Sequence, residues 1–262
     1  MNIGIVCYPT FGGSGVIATE LGLELSKKGH TVHFITYRQP VRLELISKNV
    51  HFHEVNVPDY PLFHYQPYEL ALSSKIVDTV KMFEIDVLHV HYAIPHAYAA
   101  YMAKKMLHED GIKLPIVTTL HGTDITLVGS HPFYKTAVTF SINHSDAVTS
   151  VSHSLKEDTQ RLFKTKKHIT VVPNFVDLNK YKSLGNQCPK GILARDDERV
   201  ITHISNFRNV KRIPDVIKIF NTIRKQIPSK LLMIGEGPER ENAEKLCFDL
   251  KIDNHVLFLG NS

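Results

Sequence analysis

Val200-Ile201-Thr202-His203-Ile204-Ser205-Asn206-Phe207-Arg208-Asn209-Val210-Lys211-Arg212-Ile213-Pro214-Asp215-Val216-Ile217 reads as an apolar strand, a cationic turn and the opening of a helix. The β-branched run at 200–204 suits a strand, and Pro214 stands where a helix tolerates a missing amide. Arg208, Lys211 and Arg212 are therefore expected beside the outward-pointing amides of a helix N-terminus. Backbone donors and fixed positive charge acting on one anion suit a diphosphate. Fifty residues follow Arg212 in this 262-residue chain. That is too few to finish a second α/β domain, so the chain is expected to carry half of a two-domain active site.

The same strand-then-helix rhythm runs through the residues before this stretch. Strands are predicted at Asn2–Cys7, Thr31–Thr36, Val50–Val55, Asp86–His91, Pro115–Leu120, Asp146–Val151 and Ile169–Val172. Amphipathic helical patterns lie between them at Gly15–Lys28, Pro67–Phe83, Pro95–His108, Pro132–His144 and Ser152–Phe163. Strands alternating with helices of about 10–15 residues imply βαβ units and a parallel, doubly wound sheet. A break follows at Pro173-Asn174-Phe175-Val176-Asp177, then a polar, breaker-rich segment through Arg199. The rhythm restarts with strands at Val200–Ser205, Lys230–Ile234 and His255–Leu259 and helices at Pro214–Gln226 and Pro238–Leu250. The expected organisation is an N-terminal Rossmann-like domain over 1–172, a linker over 173–199, and an incomplete C-terminal domain over 200–262. Its edge and one face would then lack cover, leaving Ile201, Leu232, Ile234, Val256 and Phe258 less buried than their strand pattern requires.

Composition bounds the class. The chain is 43% hydrophobic and 22% charged, as in globular proteins with a buried core. No apolar run approaches the roughly 18 residues that span a bilayer, and the N-terminus reads as a first strand rather than a signal peptide. Cys7, Cys188 and Cys247 are odd in number and show no C-x-x-C spacing, so disulfides are not expected and the default location is cytoplasmic. The formal charge of +5 is scattered and accompanied by no aromatic–basic motif. A small anionic ligand explains it better than nucleic acid.

In an open parallel sheet, ligands collect at the carboxyl ends of the strands. Gly12-Gly13-Ser14-Gly15 follows the first strand, where glycines let the backbone approach an anion and helix amides can hold it. The spacing departs from G-x-G-x-x-G, and Thr36-Tyr37-Arg38 stands where a ribose-binding acid would close the second strand. A nicotinamide dehydrogenase is disfavoured. His89 and His91 share one strand face, with Tyr92, Pro95 and His96 beyond, and no third ligand has metal-site spacing. No metal is expected; a polar strand end lining a crevice is the simpler reading. His121-Gly122-Thr123-Asp124 follows another strand. Either Asp124 caps the next helix and His121 fills space, or the cluster is functional, with His121 the catalytic candidate. No nucleophile elbow is present, so no Ser/His/Asp triad is expected. Gly235-Glu236-Gly237-Pro238 repeats the tight-turn-to-helix logic in the second domain, one βα unit after Arg208 and Lys211.

Taken in order and spacing, these segments resemble family 4 retaining glycosyltransferases. The marks are Cys7-Tyr8-Pro9 through Gly12-Gly13-Ser14-Gly15, His91-Tyr92-Ala93-Ile94-Pro95-His96 and Thr119-Leu120-His121-Gly122-Thr123-Asp124. Ser205-Asn206-Phe207-Arg208 through Lys211-Arg212 and Gly235-Glu236-Gly237-Pro238 complete them, and the resemblance runs from Ile3 to Gly260. It implies the GT-B architecture of two Rossmann-like doubly wound domains, the C-terminal one incomplete here. Within the family the chain is similar to the branch that begins bacillithiol synthesis. The implied reaction moves N-acetylglucosamine from UDP-N-acetylglucosamine to the hydroxyl of L-malate, with retention at the anomeric carbon.

The resemblance also implies roles. Gly12, Gly13, Asn206, Arg208, Lys211, Gly235 and Gly237 fall on the donor side, Lys211 and Arg208 as the diphosphate cations; many relatives carry arginine where Asn206 stands. Ser14, Tyr92, Thr119 and Asn174 fall on the acceptor side, and His121, Arg208 and Lys211 are the catalytic set. No metal or cofactor is implied, because cationic side chains neutralise the leaving diphosphate. Nucleic acid and membrane are not implied partners, and homo-oligomerisation stays open. Two family glutamates eight residues apart, for the donor sugar and the ribose, would lie beyond Ser262, so this chain is expected to be a truncated, inactive form. A GT-B UDP-sugar epimerase and a non-catalytic nucleotide-binding fragment are the alternatives.

Overall fold

Strands that read as near-continuous apolar runs, rather than alternating ones, belong in a parallel sheet covered on both faces. The computed structural model describes residues 1–43, 48–59, 61–62, 64–178 and 190–260, which divide into two units, Met1–Val176 and Asp177–Ser262. In the first unit, β1 (Asn2–Val6), β2 (Thr31–Thr36), β3 (Val50–Glu54), β4 (Val87–His91), β5 (Ile116–Leu120), β6 (Ala147–Ser150) and β7 (Ile169–Val171) form one sheet. The order is β3-β2-β1-β4-β5-β6-β7, and every pairing is parallel. The chain direction across the sheet reverses between β1 and β4, which makes a topological switch point there.

The sheet is covered by α1 (Gly13–Lys27), α2 (Tyr68–Phe83), α3 (Tyr98–Glu109), α4 (Pro132–His144) and α5 (His153–Phe163). A core cluster joins Val6, Ile35, Leu88, Val90 and Ile116 of the strands to Leu72, Ile76 and Val80 of α2 and Ala99, Ala100, Ala103 and Leu107 of α3. The alanine face of α3 lets helix and sheet approach closely. A second cluster places Ile3, Ile5, Val32 and Phe34 with Ala18 of α1. Ser152 Oγ accepts from Leu155 N at 3.1 Å and so starts α5.

In this unit two helix starts lie two or more residues from the sequence expectation. α1 begins at Gly13 rather than Gly15, because Gly12 O already accepts from Gly15 N and Val16 N. α3 begins at Tyr98 rather than Pro95. Ala93–Ala97 forms a π-type turn in which Ile94 is extended at φ −134 and ψ 144, as the residue before a proline prefers.

In the second unit, β8 (Arg199–Ile204), β9 (Ser229–Ile234) and β10 (Val256–Gly260) form a parallel sheet ordered β10-β9-β8. One helical turn, α6 (Lys190–Leu193), falls within the segment expected to be linker. Then come α7 (Ile213–Ile223) and α8 (Arg240–Asp249). Ile213, Ile217 and Phe220 recur on one face of α7 and pack with Phe207, Leu231, Met233, Ala243 and Cys247. Pro238 precedes α8 in a turn instead of occupying its first turn.

The expected under-burial holds only in part. Leu232 and Val256 are buried, while Ile201, Ile234 and Phe258 are half-buried. Leu232 is in the central strand, flanked by Thr202 and Leu257 in register. Ile201 and Phe258 also pack against the core. Cys7 and Cys247 are buried free thiols; Cys188 lies outside the described residues. Among the described residues no helix is long and apolar enough to cross a membrane.

Candidate active site

The first unit gathers its polar residues at the switch point. Gly12 is the N-cap of α1. A Cβ on Gly15 would lie 2.5 Å from both Tyr8 O and Thr10 O, so only glycine lets the β1–α1 turn close on the helix. Gly13, by contrast, is exposed and faces open space. Ser14 Oγ lies 2.7 Å from Tyr92 Oη at the end of β4. Tyr8 packs edge-on against Tyr92 at 5.2 Å and over His96 at 4.5 Å. The loops after β1 and β4 thus form one wall.

The loop after β5 is tied to that wall by Asp124, which is buried. Its Oδ2 accepts from Ala93 N at 2.9 Å, and its Oδ1 accepts from His121 N and Gly122 N at 3.1 Å each. Asp124 therefore does not cap the next helix. It organises three amides from two loops. Burial pushes its pKa up to about 6, against the lowering effect of those amide bonds.

Four imidazoles sit beside it. His89 Nε2 is 2.7 Å from Thr119 Oγ1, which is 2.7 Å from Thr149 Oγ1. His91 Nδ1 is 2.8 Å from His121 Nε2, with the rings stacked at 5.1 Å. His96 Nδ1 donates to His91 O at 2.6 Å. Burial lowers the pKa of His89, His96 and His121 to about 4 each, and drives His91 well below its ordinary value with help from its three histidine neighbours. The cluster is a neutral one. Among the described residues no group of three or more His, Cys, Asp or Glu is arranged to hold a metal.

Ser14, Tyr92 and His121 are thereby brought together, Tyr92 and His121 at 5.2 Å between rings. Thr119 is adjacent but buried, its hydroxyl engaged by His89 and Thr149. Asn174 is exposed beyond β7, three strands from β4 in the sheet order.

In the second unit the loops after β8 and β9 are zipped together. Phe207 N donates to Glu236 O at 2.9 Å, and Glu239 N donates to Phe207 O at 2.9 Å. Gly235 has φ +128, and a Cβ there would fall 1.9 Å from Ser205 O. A Cβ on Gly237 would fall 2.6 Å from Phe207 O, so this glycine too lies against the Phe207 backbone. The fully buried Phe207 ring anchors the turn, while Asn206, Arg208 and Lys211 are exposed around it. Arg212 pairs with Asp215, and Arg240 with Glu236 and Glu244. Among the described residues, Arg208 and Lys211 have no carboxylate within ion-pair distance. Burial, and then the charge of Lys211, lower the pKa of His203. The turn keeps two uncompensated cations beside it.

Sequence reasoning missed Thr149 and the clamp made by Asp124. Both depend on strand register and loop closure, although the hydroxyl-rich strand ends Thr118-Thr119 and Thr149-Ser150 carried a faint signal.

The family model described as Glycosyltransferase Family 4 matches residues 11–180. This chain belongs to that family. A second model, Glycosyl transferases group 1, matches residues 188–262. The chain is 48% identical over 261 residues to N-acetyl-alpha-D-glucosaminyl L-malate synthase of Bacillus anthracis, covering 99% of this chain and 68% of that protein. It is 22% identical to alpha-monoglucosyldiacylglycerol synthase of Streptococcus pneumoniae, covering 99% of this chain and 61% of that protein. Among solved structures, sucrose-phosphate synthase from Thermosynechococcus elongatus superposes with a TM-score of 0.74 at 16% identity, over 100% of this chain and 71% of that one. Anabaena HepE in complex with UDP-glucose gives 0.74 at 17% identity, over 100% and 69%. The fold of this family 4 chain is that of the GT-B glycosyltransferases, and the chain is a glycosyltransferase.

Proposed function

We propose that the protein transfers N-acetylglucosamine from UDP-N-acetylglucosamine to the hydroxyl of L-malate, with retention at the anomeric carbon. The observation that carries this reading is the 48% identity, over nearly the whole chain, to a relative named for making that product. In the reaction the bond between the anomeric carbon and the diphosphate breaks, and the hydroxyl oxygen of malate takes its place. Negative charge grows on the leaving diphosphate. Arg208 and Lys211, which have no neutralising partner among the described residues, would stabilise that charge more in the transition state than in the ground state.

Asn206, Gly235 and Gly237 shape the same turn, where glycine backbone admits a close diphosphate. Gly12 and Gly13 present the first-turn amides of α1 to the donor, and the open space at Gly13 suits an approaching ligand. Ser14 and Tyr92, already paired, are assigned to the malate carboxylates. Thr119 supports that wall through His89 and Thr149, Asn174 is kept as an outlying acceptor candidate, and His121 faces the transferred group. No metal takes part in this scheme. The two described cysteines, both free and buried, suit a cytoplasmic setting.

The test uses protein expressed from its complete coding sequence, incubated with UDP-N-acetylglucosamine with and without L-malate. Release of UDP that requires malate is the expected result. Conversion of the donor without malate would instead indicate an epimerase, and binding of UDP without turnover a non-catalytic module.

A further inference from the structure

His91 is 1% exposed and uses one ring nitrogen only: Nδ1 lies 2.8 Å from His121 Nε2, while its Nε2 is buried without a partner. One of the two facing nitrogens must carry the proton, and the choice fixes both rings. If His121 Nε2–H donates, then His91 keeps its own proton on Nε2, a buried N–H with nothing to accept it. If His91 Nδ1–H donates, the buried Nε2 is a bare lone pair. Orphaned buried N–H groups are the rarer and costlier defect. The neighbour His96 leaves the choice untouched, because its Nδ1–H is committed to His91 O at 2.6 Å.

We infer that His91 is a positioning residue: by donating Nδ1–H to His121 Nε2 it holds His121 as the Nδ1–H tautomer, with that N–H offered to a substrate oxygen. The part concerning substrate rests on the transferase reading above; the tautomer does not. His121 Nδ1 has no partner among the described residues and, unlike His91 Nε2, is not an orphaned buried atom. The Nε2 lone pair of His121 is consumed by His91, so no bare imidazole nitrogen faces the ligand. His121 is then a hydrogen-bond donor and not a general base. The tautomer of an imidazole is set by whatever its other nitrogen meets, and here that partner is rigid, buried and stacked on β4 against His89 at 4.6 Å. A donor that stays neutral suits transfer in which charge grows on oxygen.

The experiment is imidazole nitrogen NMR at pH 7 on this chain labelled with ¹⁵N-histidine, the His121 signals being assigned by their loss in His121→Asn. The expected spectrum shows His121 protonated at Nδ1 and bare at Nε2. In His91→Leu the proton should redistribute toward Nε2, and in His91→Gln, whose amide can still donate, it should stay on Nδ1. A wild-type His121 protonated at Nε2 would overturn the inference even if neither variant folds. So would an unchanged His121 tautomer in a folded His91→Leu. In the transfer assay His91→Leu should lower turnover several-fold with His91→Gln restoring part of it. Absence of any malate-dependent turnover in the wild type would sink the transferase reading while leaving the tautomer result standing.

Discussion

Tyr92 Oη meets Ser14 Oγ at 2.7 Å and so joins the end of β4 to the first turn of α1 across 78 residues of sequence. Tyr92 holds this position at φ +87, a left-handed backbone that a bulky residue adopts only when its surroundings impose it. Its amide is fixed by Thr119 O at 2.9 Å, and its ring by Tyr8. The pair is thus presented by two rigid elements.

Tyr92→Phe keeps the ring packing and removes one hydroxyl. Stability should fall by about 1 kcal/mol or less, the usual net worth of one hydrogen bond. In the transfer assay the KM for malate should rise several-fold while that for the sugar nucleotide stays near its original value. Equal changes in both would remove Tyr92 from the acceptor side.

Lys211→Ala should leave the denaturation midpoint almost unchanged, because Lys211 is exposed and makes no ion pair among the described residues. Turnover should fall by about 100-fold or more, as when a preorganised group is removed from a developing charge. The same substitution should raise the pKa of His203, which Lys211 now helps to hold down. A titration by NMR checks the second effect without any substrate. An unshifted His203 would mean that the lysine side chain points elsewhere.

Gly235→Ala and Gly13→Ala make a contrasting pair in urea unfolding. At Gly235 the backbone has φ +128 and the added carbon would meet Ser205 O at 1.9 Å. The loss should be about 3 kcal/mol or more, combining backbone strain with a clash against main chain. At Gly13 nothing lies within 4 Å of the added carbon, so stability should stay within about 1 kcal/mol of the parent. Similar losses at both positions would refute the close packing of the 205–207 and 235–237 loops.

Acidification should destabilise the first unit. Buried histidines whose pKa falls from 6.5 to about 4 bind fewer protons folded than unfolded, so stability rises with pH through that window. His33 and His53, stacked between β2 and β3, add to the effect. Asp124 opposes it: its folded pKa is raised to about 6, so its contribution falls as pH rises from about 4 to 6. Several imidazoles outweigh one carboxyl. The denaturation midpoint should therefore drop between pH 7 and pH 5, with net proton uptake on unfolding at pH 5.5. A flat or inverted profile would mean that the cluster is hydrated rather than buried.

The alternation of strands and helices, the parallel class of sheet, the cationic turn at 206–212 and the glycine turns at 12–15 and 235–237 were all legible in the sequence. Each is governed by residues adjacent in the chain, through side-chain branching, capping and the backbone freedom of glycine. Proline marked helix starts less faithfully. At Pro132 the helix begins on the proline itself, whereas Ile94, extended before Pro95, delays α3 to Tyr98. What only the tertiary structure decided is the polar network. His89, Thr119 and Thr149 lie about 30 residues apart in sequence; parallel pairing sets Thr119 beside Thr149, and His89 reaches Thr119 diagonally from the neighbouring strand. His91 reaches His121, and Asp124 reaches the Ala93 amide, through the same register. Parallel pairing has no local signature, since a shift of one residue would turn each of these side chains to the opposite face. Burial of both faces selects the register, and with it the neutral histidine cluster at the switch point.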